Sequence, residues 1–217
     1  MAIEFYTGMA EVPSFTPLNI CTVSLWYVEL GWNVGGFNRV FGTADAWEIK
    51  IFGDAPHTVV NELCLQTGTE STGVVLAGTW LHIACTVDQS TGAWRTYLDG
   101  VLDCSGTGHT TAASGSTLGI GGRYGGVGVA NGILEDVRIY NRVLSAGEIM
   151  TLYALDGCDA IRSGLVNRWI MHTKGGAGST GVGGDNIYDE VGKKTANVMG
   201  GDAFYWGGRK HFIKRAI

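Results

Sequence analysis

Leu81, Ile83, Cys85 and Val87 alternate with His82, Ala84 and Thr86, the period of two that turns one face of a strand toward a core. Glu48-Ile49-Lys50-Ile51 repeats the pattern over a shorter stretch. Residues 22–30 (TVSLWYVEL) are apolar on both phases, as in a central strand covered on both sides. Further strands are predicted over 37–42, 58–66, 94–99, 117–121 and 132–140, each bounded by clusters of Gly, Asp, Ser or Thr. Turns at roughly ten-residue spacing predict an all-β chain folded as two packed antiparallel sheets.

One helix is predicted. Ser145-Ala146-Gly147-Glu148 is a capping box, in which the Ser145 oxygen accepts from the Glu148 amide and Glu148 reaches back to the Ser145 amide. Ile149, Leu152, Tyr153 and Leu155 then form an apolar stripe, and Gly157 is placed to stop the helix. Beyond it the texture changes. Residues 164–171 (GLVNRWIM) predict another strand, 174–184 (KGGAGSTGVGG) a flexible spacer, and 187–206 alternates short apolar pieces with turn residues. The expected organisation is a sandwich domain over 1–157, followed by a C-terminal arm over 158–217 with a glycine-rich spacer and a basic end.

Composition narrows the function classes. With 35 glycines, 3 prolines and no period of three, the chain is not collagen-like and has many tight turns. A 45% hydrophobic, 16% charged composition excludes a disordered chain. The net charge of -5 argues against nucleic-acid binding, which rests on Lys and Arg neutralising phosphates. Arg209, Lys210, Lys214 and Arg215 place 4 of the 15 basic residues in the last nine positions, leaving 11 basic against 20 acidic residues before them. Such a basic end on an acidic body suits docking on an acidic surface. Met1-Ala2-Ile3-Glu4-Phe5 has no basic region leading into an apolar one, so no secretory signal is expected, and no apolar run approaches a membrane span. Cys21, Cys64, Cys85, Cys104 and Cys158 are odd in number and widely spaced, which predicts free thiols.

Trp80-Leu81-His82-Ile83-Ala84-Cys85-Thr86-Val87 followed by Tyr97-Leu98-Asp99-Gly100 resembles the hairpin of laminin-G-like and pentraxin domains, where W-x-H and Y-x-D-G recur. Residues 132–145 (GILEDVRIYNRVLS) look like the closing strand and helix start of the same concanavalin A-like family. The resemblance covers roughly residues 3–156 and implies a jelly roll of two antiparallel sheets. Members bind carbohydrate, protein or calcium, or serve as passive structural domains. Pentraxins pair the cysteine equivalent to Cys85 with one on an early strand; here Ser24 is expected at that position, so the bridge is not carried over. Where related enzymes place a calcium-ligating Asp, this chain has Glu135, the one expected metal ligand, with calcium as the possible cofactor. The 164–194 segment resembles a strand that precedes the first one in many members, so the arm is expected to complete a sheet through Leu165, Val166 and Trp169. It would do so in its own subunit or in a neighbour's; exchange between subunits would give a homo-oligomer.

The E-x-D-x-x-E pattern of related glucanases does not occur, and the adjacent Glu135 and Asp136 are expected on opposite faces of a strand. The five histidines show no ligand spacing and no nucleophile elbow is present, so no catalytic residue is assigned. Trp32, Trp47, Trp94 and Tyr97 lie on or near strands and could offer a ring face to a sugar. The leading expectation is a non-catalytic structural or adhesion protein of a bacteriophage particle, as capsid decoration or tail surface, since the arm also resembles that of small phage-encoded laminin-G-like proteins. Its partners would be other virion proteins. The alternative is a calcium-dependent carbohydrate-binding domain of a cell-surface protein, located outside the cell and contacting a glycan.

Overall fold

The computed structural model describes residues 2–5, 9–31, 36–43, 47–52, 58–63, 69–108, 117–122, 128–156, 158–171, 186–187, 189–194, 196–199 and 203–206. Among these the strands are β1 (Ala2–Phe5), β2 (Met9–Pro13), β3 (Ile20–Glu29), β4 (Phe37–Thr43), β5 (Glu48–Phe52) and β6 (Thr58–Glu62). They continue with β7 (Thr69–Val74), β8 (Trp80–Asp88), β9 (Ala93–Leu98), β10 (Val101–Gly106), β11 (Thr117–Ile120) and β12 (Gly132–Tyr140). Helix α1 (Ala146–Leu155) follows, and then β13 (Leu165–Trp169), β14 (Asn186–Ile187), β15 (Ala196–Met199) and β16 (Ala203–Trp206).

The strands form two antiparallel sheets. The first runs β10-β9-β8-β3-β12-β1-β16, with β13 also on β12; the second runs β14-β15-β2-β11-β4-β5-β6-β7. Between them lies one apolar core, in which Cys21, Val23, Leu25 and Tyr27 of β3 face Phe41, Ile49, Ile51 and Leu118. The expected jelly-roll sandwich is therefore the observed class. β3 is buried along nearly its whole length because its other phase is covered too, by α1 and the connections around it.

The helix starts as expected. Ser145 Oγ accepts from the Glu148 amide at 3.3 Å and Glu148 Oε2 accepts from the Ser145 amide at 2.8 Å. Ile149 and Leu152 are buried against Ala84, Tyr97 and Tyr140. Leu155, expected in the stripe, is 49% exposed, and the helix ends at Asp156 in the left-handed conformation (φ 51°). Gly157 lies outside the described residues.

The two recognisable motifs have a shared physical basis in how they lock the first sheet. Asp99 and Gly100, at φ 50° and 80°, form a two-residue hairpin turn between β9 and β10, a turn that needs left-handed backbone at both positions. A Cβ at Gly100 would also press on Met150 and Tyr153 of the helix. Asp99 Oδ1 accepts from the His82 amide at 2.9 Å, while His82 Nε2 lies 2.9 Å from Ser24 Oγ and its ring lies against Trp26. On β12, one extra residue is inserted where Glu135 opposes Trp26 but Arg138 opposes Ser24, and Asp136 adopts φ 51°. This bulge overturns the expectation that Glu135 and Asp136 point to opposite faces. Alternation from the core residue Leu134 puts Glu135 on the outer face, and Asp136 is held there too by Arg138.

The arm completes the sandwich of its own chain. β13 pairs with Val137–Tyr140 along the same edge of β12 that β1 occupies farther up, β15 extends the second sheet beyond β2, and β16 pairs with β1. Leu165 packs in the helix cluster, Val166 lies against the main core and Trp169 is fully buried in it. These three residues, expected to complete a sheet in their own subunit or in a neighbour's, serve the fold of their own subunit among the described residues. Arg209, Lys210, Lys214 and Arg215 lie outside the described residues.

The register also corrects the cysteine comparison. Val23, not Ser24, is opposite Cys85, and Ser24 faces the other way, opposite Ala84. Cys21 and Cys85 are both buried free thiols on the core side; Cys104 is half-buried and Cys158 exposed, also as free thiols. Cys64 lies outside the described residues.

Candidate functional site

The outer face of the second sheet carries an ordered ladder of side chains. One row across the sheet reads Asn197 (β15), Glu11 (β2), Gly119 (β11), Gly42 (β4), Glu48 (β5) and Glu62 (β6), each opposite the next. The neighbouring row pairs Arg39 with Lys50 and Val60, and beyond it Phe37 is opposite Phe52. Carboxylates, cations and aromatic rings therefore lie side by side, in that order. Local sequence makes this possible. Alternation turns Ile49 and Ile51 into the core and hence Glu48, Lys50 and Phe52 outward. In β4 an irregularity between Arg39 and Phe41 lets Val40 and Phe41 both enter the core while Arg39 and Gly42 remain on the outer face.

The charges are closely tied. Arg39 Nε lies 3.1 Å from Glu48 Oε2, and Lys50 Nζ lies 3.5 Å from Glu48 Oε1 and 2.7 Å from Glu62 Oε1. The Lys50 ammonium also sits 4.1 Å from the centre of the Phe37 ring, where the ring quadrupole attracts a cation. Phe37 and Phe52 contact each other at a tilt, with ring centroids 5.2 Å apart. Glu48 and Lys50 are buried and form the floor; Phe37, Arg39, Phe52 and Glu62 are half-buried around them. Burial pushes the Glu48 carboxyl above its ordinary value; Arg39 and Lys50 oppose the rise, and a hydrogen bond with Glu62 and that residue's charge add to it. At Gly42 a side chain would collide with Glu48 Cβ, so glycine there leaves room for the glutamate beside it.

Residues 7–150 match the family model described as the concanavalin A-like lectin/glucanases superfamily. The chain belongs to that superfamily. Among curated proteins, none matches it in sequence. Solved structures share its fold. A candidate carbohydrate-binding protein from Bacteroides ovatus ATCC 8483 is 20% identical, with a TM-score of 0.73 over 95% of this chain and 60% of its own. This chain thus spans 60% of the length of that protein. Domain 4 of AbnA, an extracellular GH43 arabinanase from Geobacillus stearothermophilus solved with arabinotriose, is 20% identical (TM-score 0.56; 70% of this chain, 76% of that one). The CBM40 domain of a Ruminococcus gnavus IT-sialidase, bound to α2,3 sialyllactose, is 15% identical (TM-score 0.53; 70% of this chain, 96% of that one).

Within this member of the superfamily, the residues expected to touch sugar are placed elsewhere. Trp47 is fully buried, with Phe15 and Phe41 each 5.4 Å from its ring centre. Trp94 is buried against Gly106, and Tyr97 is buried beneath α1. None of these three rings presents a face to solvent: Trp94 and Tyr97 on β9, and Trp47 just before β5, are each turned into a packed layer; Trp32 lies outside the described residues. Glu135 is buried on the outer face of the first sheet, opposite Trp26. The carboxylate next to it, Asp136, is held by Arg138 and Arg168. Among the described residues there is no cluster of three or more His, Cys, Asp or Glu that could hold a metal ion.

The ladder itself was only half visible in the sequence. The alternation of Glu48-Ile49-Lys50-Ile51 put Glu48 and Lys50 on one face, but an alternating charged face ordinarily means a solvated one. Only the pairing of β4, β5 and β6 joins them to Arg39, Glu62 and the two phenylalanines.

Proposed function

We propose that this protein is a carbohydrate-binding domain that holds its ligand without cleaving it, and that the contact surface is the outer face of the second sheet. The observation that carries the reading is the ladder of Phe37 and Phe52, Arg39 and Lys50, and Glu48 and Glu62 in adjacent rows. Sugar recognition requires an apolar surface for the ring faces and, beside it, paired donors and acceptors for the hydroxyls. The ladder supplies each. The relatives support it: a candidate carbohydrate binder, a domain solved with arabinotriose and a domain bound to sialyllactose share the fold. None of these three is a particle protein, so glycan binding is better supported than a role in a phage virion.

Binding without cleavage follows from the carboxyl geometry. Glu48 and Glu62 are both held by the Lys50 ammonium, at 3.5 and 2.7 Å, and Glu48 by Arg39 as well, whereas a glycosidase keeps its two carboxyls available on either side of the scissile bond. Such a domain would act where glycans are displayed, outside the cell. A glycan array probed with the purified protein tests the reading, with an arm in EDTA to reveal any calcium requirement. Expected is a signal that falls sharply in the double variant Arg39→Ala, Phe52→Ala; a wild-type protein that binds no glycan defeats it.

A further inference from the structure

Resting on that reading, we propose that the face selects neutral oligosaccharides and discriminates against glycans that carry a carboxylate. Three carboxylates, Glu11, Glu48 and Glu62, occupy a single register row across the second sheet. The described cations beside them are Arg39 and Lys50, and both are engaged: Arg39 with Glu48, Lys50 with Glu48 and Glu62. An acidic sugar would need a cation to receive it. To obtain one it would have to displace Glu62 from Lys50, at 2.7 Å, or Glu48 from Arg39, leaving a displaced glutamate beside a second carboxylate. Glu48 is buried and cannot swing into water to relieve the repulsion.

A neutral sugar meets no such conflict. Each of its hydroxyls both donates and accepts, so vicinal hydroxyls can bridge a carboxylate and the cation next to it without separating the ion pair. Adjacent rows lie two residues apart along the strands, about 6.7 Å, and neighbouring side chains within a row about 4.8 Å apart, both on the scale of a single sugar residue. Phe37 and Phe52, beside the cation row, offer the apolar contact for a ring face.

The test is isothermal titration calorimetry with matched pairs that differ in the acid group: lactose with α2,3 sialyllactose, and galactotriose with trigalacturonate, with arabinotriose as a further neutral probe. Expected is binding within the neutral set, at least about tenfold tighter than to any acidic partner. Glu62→Gln, which keeps a hydrogen-bonding group beside Lys50 and removes one negative charge, narrows that gap while the melting temperature stays close to that of the parent. Equal or tighter binding of the acidic partners overturns the selectivity and leaves glycan binding standing. Absence of binding by any sugar in the set together with a silent glycan array defeats both the selectivity and the function it rests on.

Discussion

Arg168 of the arm donates through Nε to Asp136 Oδ1 at 2.8 Å, and Asp136 is at the same time gripped by Arg138 through two contacts of 3.0 and 2.6 Å. One carboxylate on a bulge of β12 thus ties the C-terminal segment to the body of the sandwich. Arg138 extends the tie to Asp159 at 2.7 Å, just beyond the helix. Although burial would raise the Asp136 carboxyl, the two guanidinium groups outweigh it and hold the group below its ordinary value. Asp136→Asn keeps the shape and tolerates φ 51° but leaves two buried cations short of charge. The expected loss is about 3 to 5 kcal/mol of unfolding free energy, read from denaturant midpoints. A loss below roughly 1 kcal/mol, as at a surface ion pair, would refute the clasp.

Trp169 shows that the arm is core and not appendage. Its ring is fully buried and its Nε1 donates to the Lys194 carbonyl at 2.8 Å, while Lys194 Nζ donates to the Ser14 carbonyl. Asp189 fixes the same turn by accepting from Asn167 Nδ2 and from the amides of Arg168, Val191 and Lys194. Trp169→Ala should cost about 3 to 5 kcal/mol, and a chain ending at Asp156 should fail to fold stably. A truncated chain with the parent's melting temperature would show the arm to be dispensable.

What the sequence made legible follows from where the information is local. The alternation at 81–87 and the Ser145–Glu148 cap are decided by neighbours in the chain, and both are present in the structure. The arm's pairing was open between its own subunit and another because strand propensity does not name a partner; Arg168 does, through a side-chain bond to Asp136 of β12 that is invisible before folding. The faces of Trp94 and Tyr97 were likewise undecidable, since a strand's second face is buried only if another layer covers it. For Tyr97 that layer is α1. The bulges at Val40 and Asp136 each shift the alternation by one residue, so strict period-two reasoning mis-assigned Asp136 and could not place Arg39 beside Glu48.

Thiol labelling gives an independent check of the core. Cys158 is exposed, Cys104 half-buried, and Cys21 and Cys85 fully enclosed. Under native conditions a maleimide should modify Cys158 first, with Cys21 and Cys85 reacting only once the protein is unfolded; mass spectrometry of peptides reads the order. Early modification of Cys85 would contradict the packing of the two sheets against each other.

The helix start predicts an acid limb. Hydrogen bonding to Arg142 is the largest influence on Glu148; with the Ser145 amide and hydroxyl it outweighs the effect of burial and takes the carboxyl from 4.5 down to about 2. A carboxyl lowered on folding stabilises the native state above its unfolded value and loses that contribution as pH falls through the folded value. The cap's contribution is therefore complete above about pH 4.5 and disappears toward pH 2. NMR titration of the Glu148 side chain should give a midpoint near 2, and Glu148→Gln should remove this component of the acid limb; a midpoint at 4.5 would contradict the pairing with Arg142.

The central claim, that sugar is held on the outer face of the second sheet, is tested most directly by mapping amide chemical shifts while titrating in the tightest-binding oligosaccharide. The account predicts that shifts concentrate at 37–39, 48–52 and 60–62, with the amides of β3 and α1 unmoved. Saturable binding whose shifts lie on the helix side of the first sheet, with 48–52 silent, would contradict it.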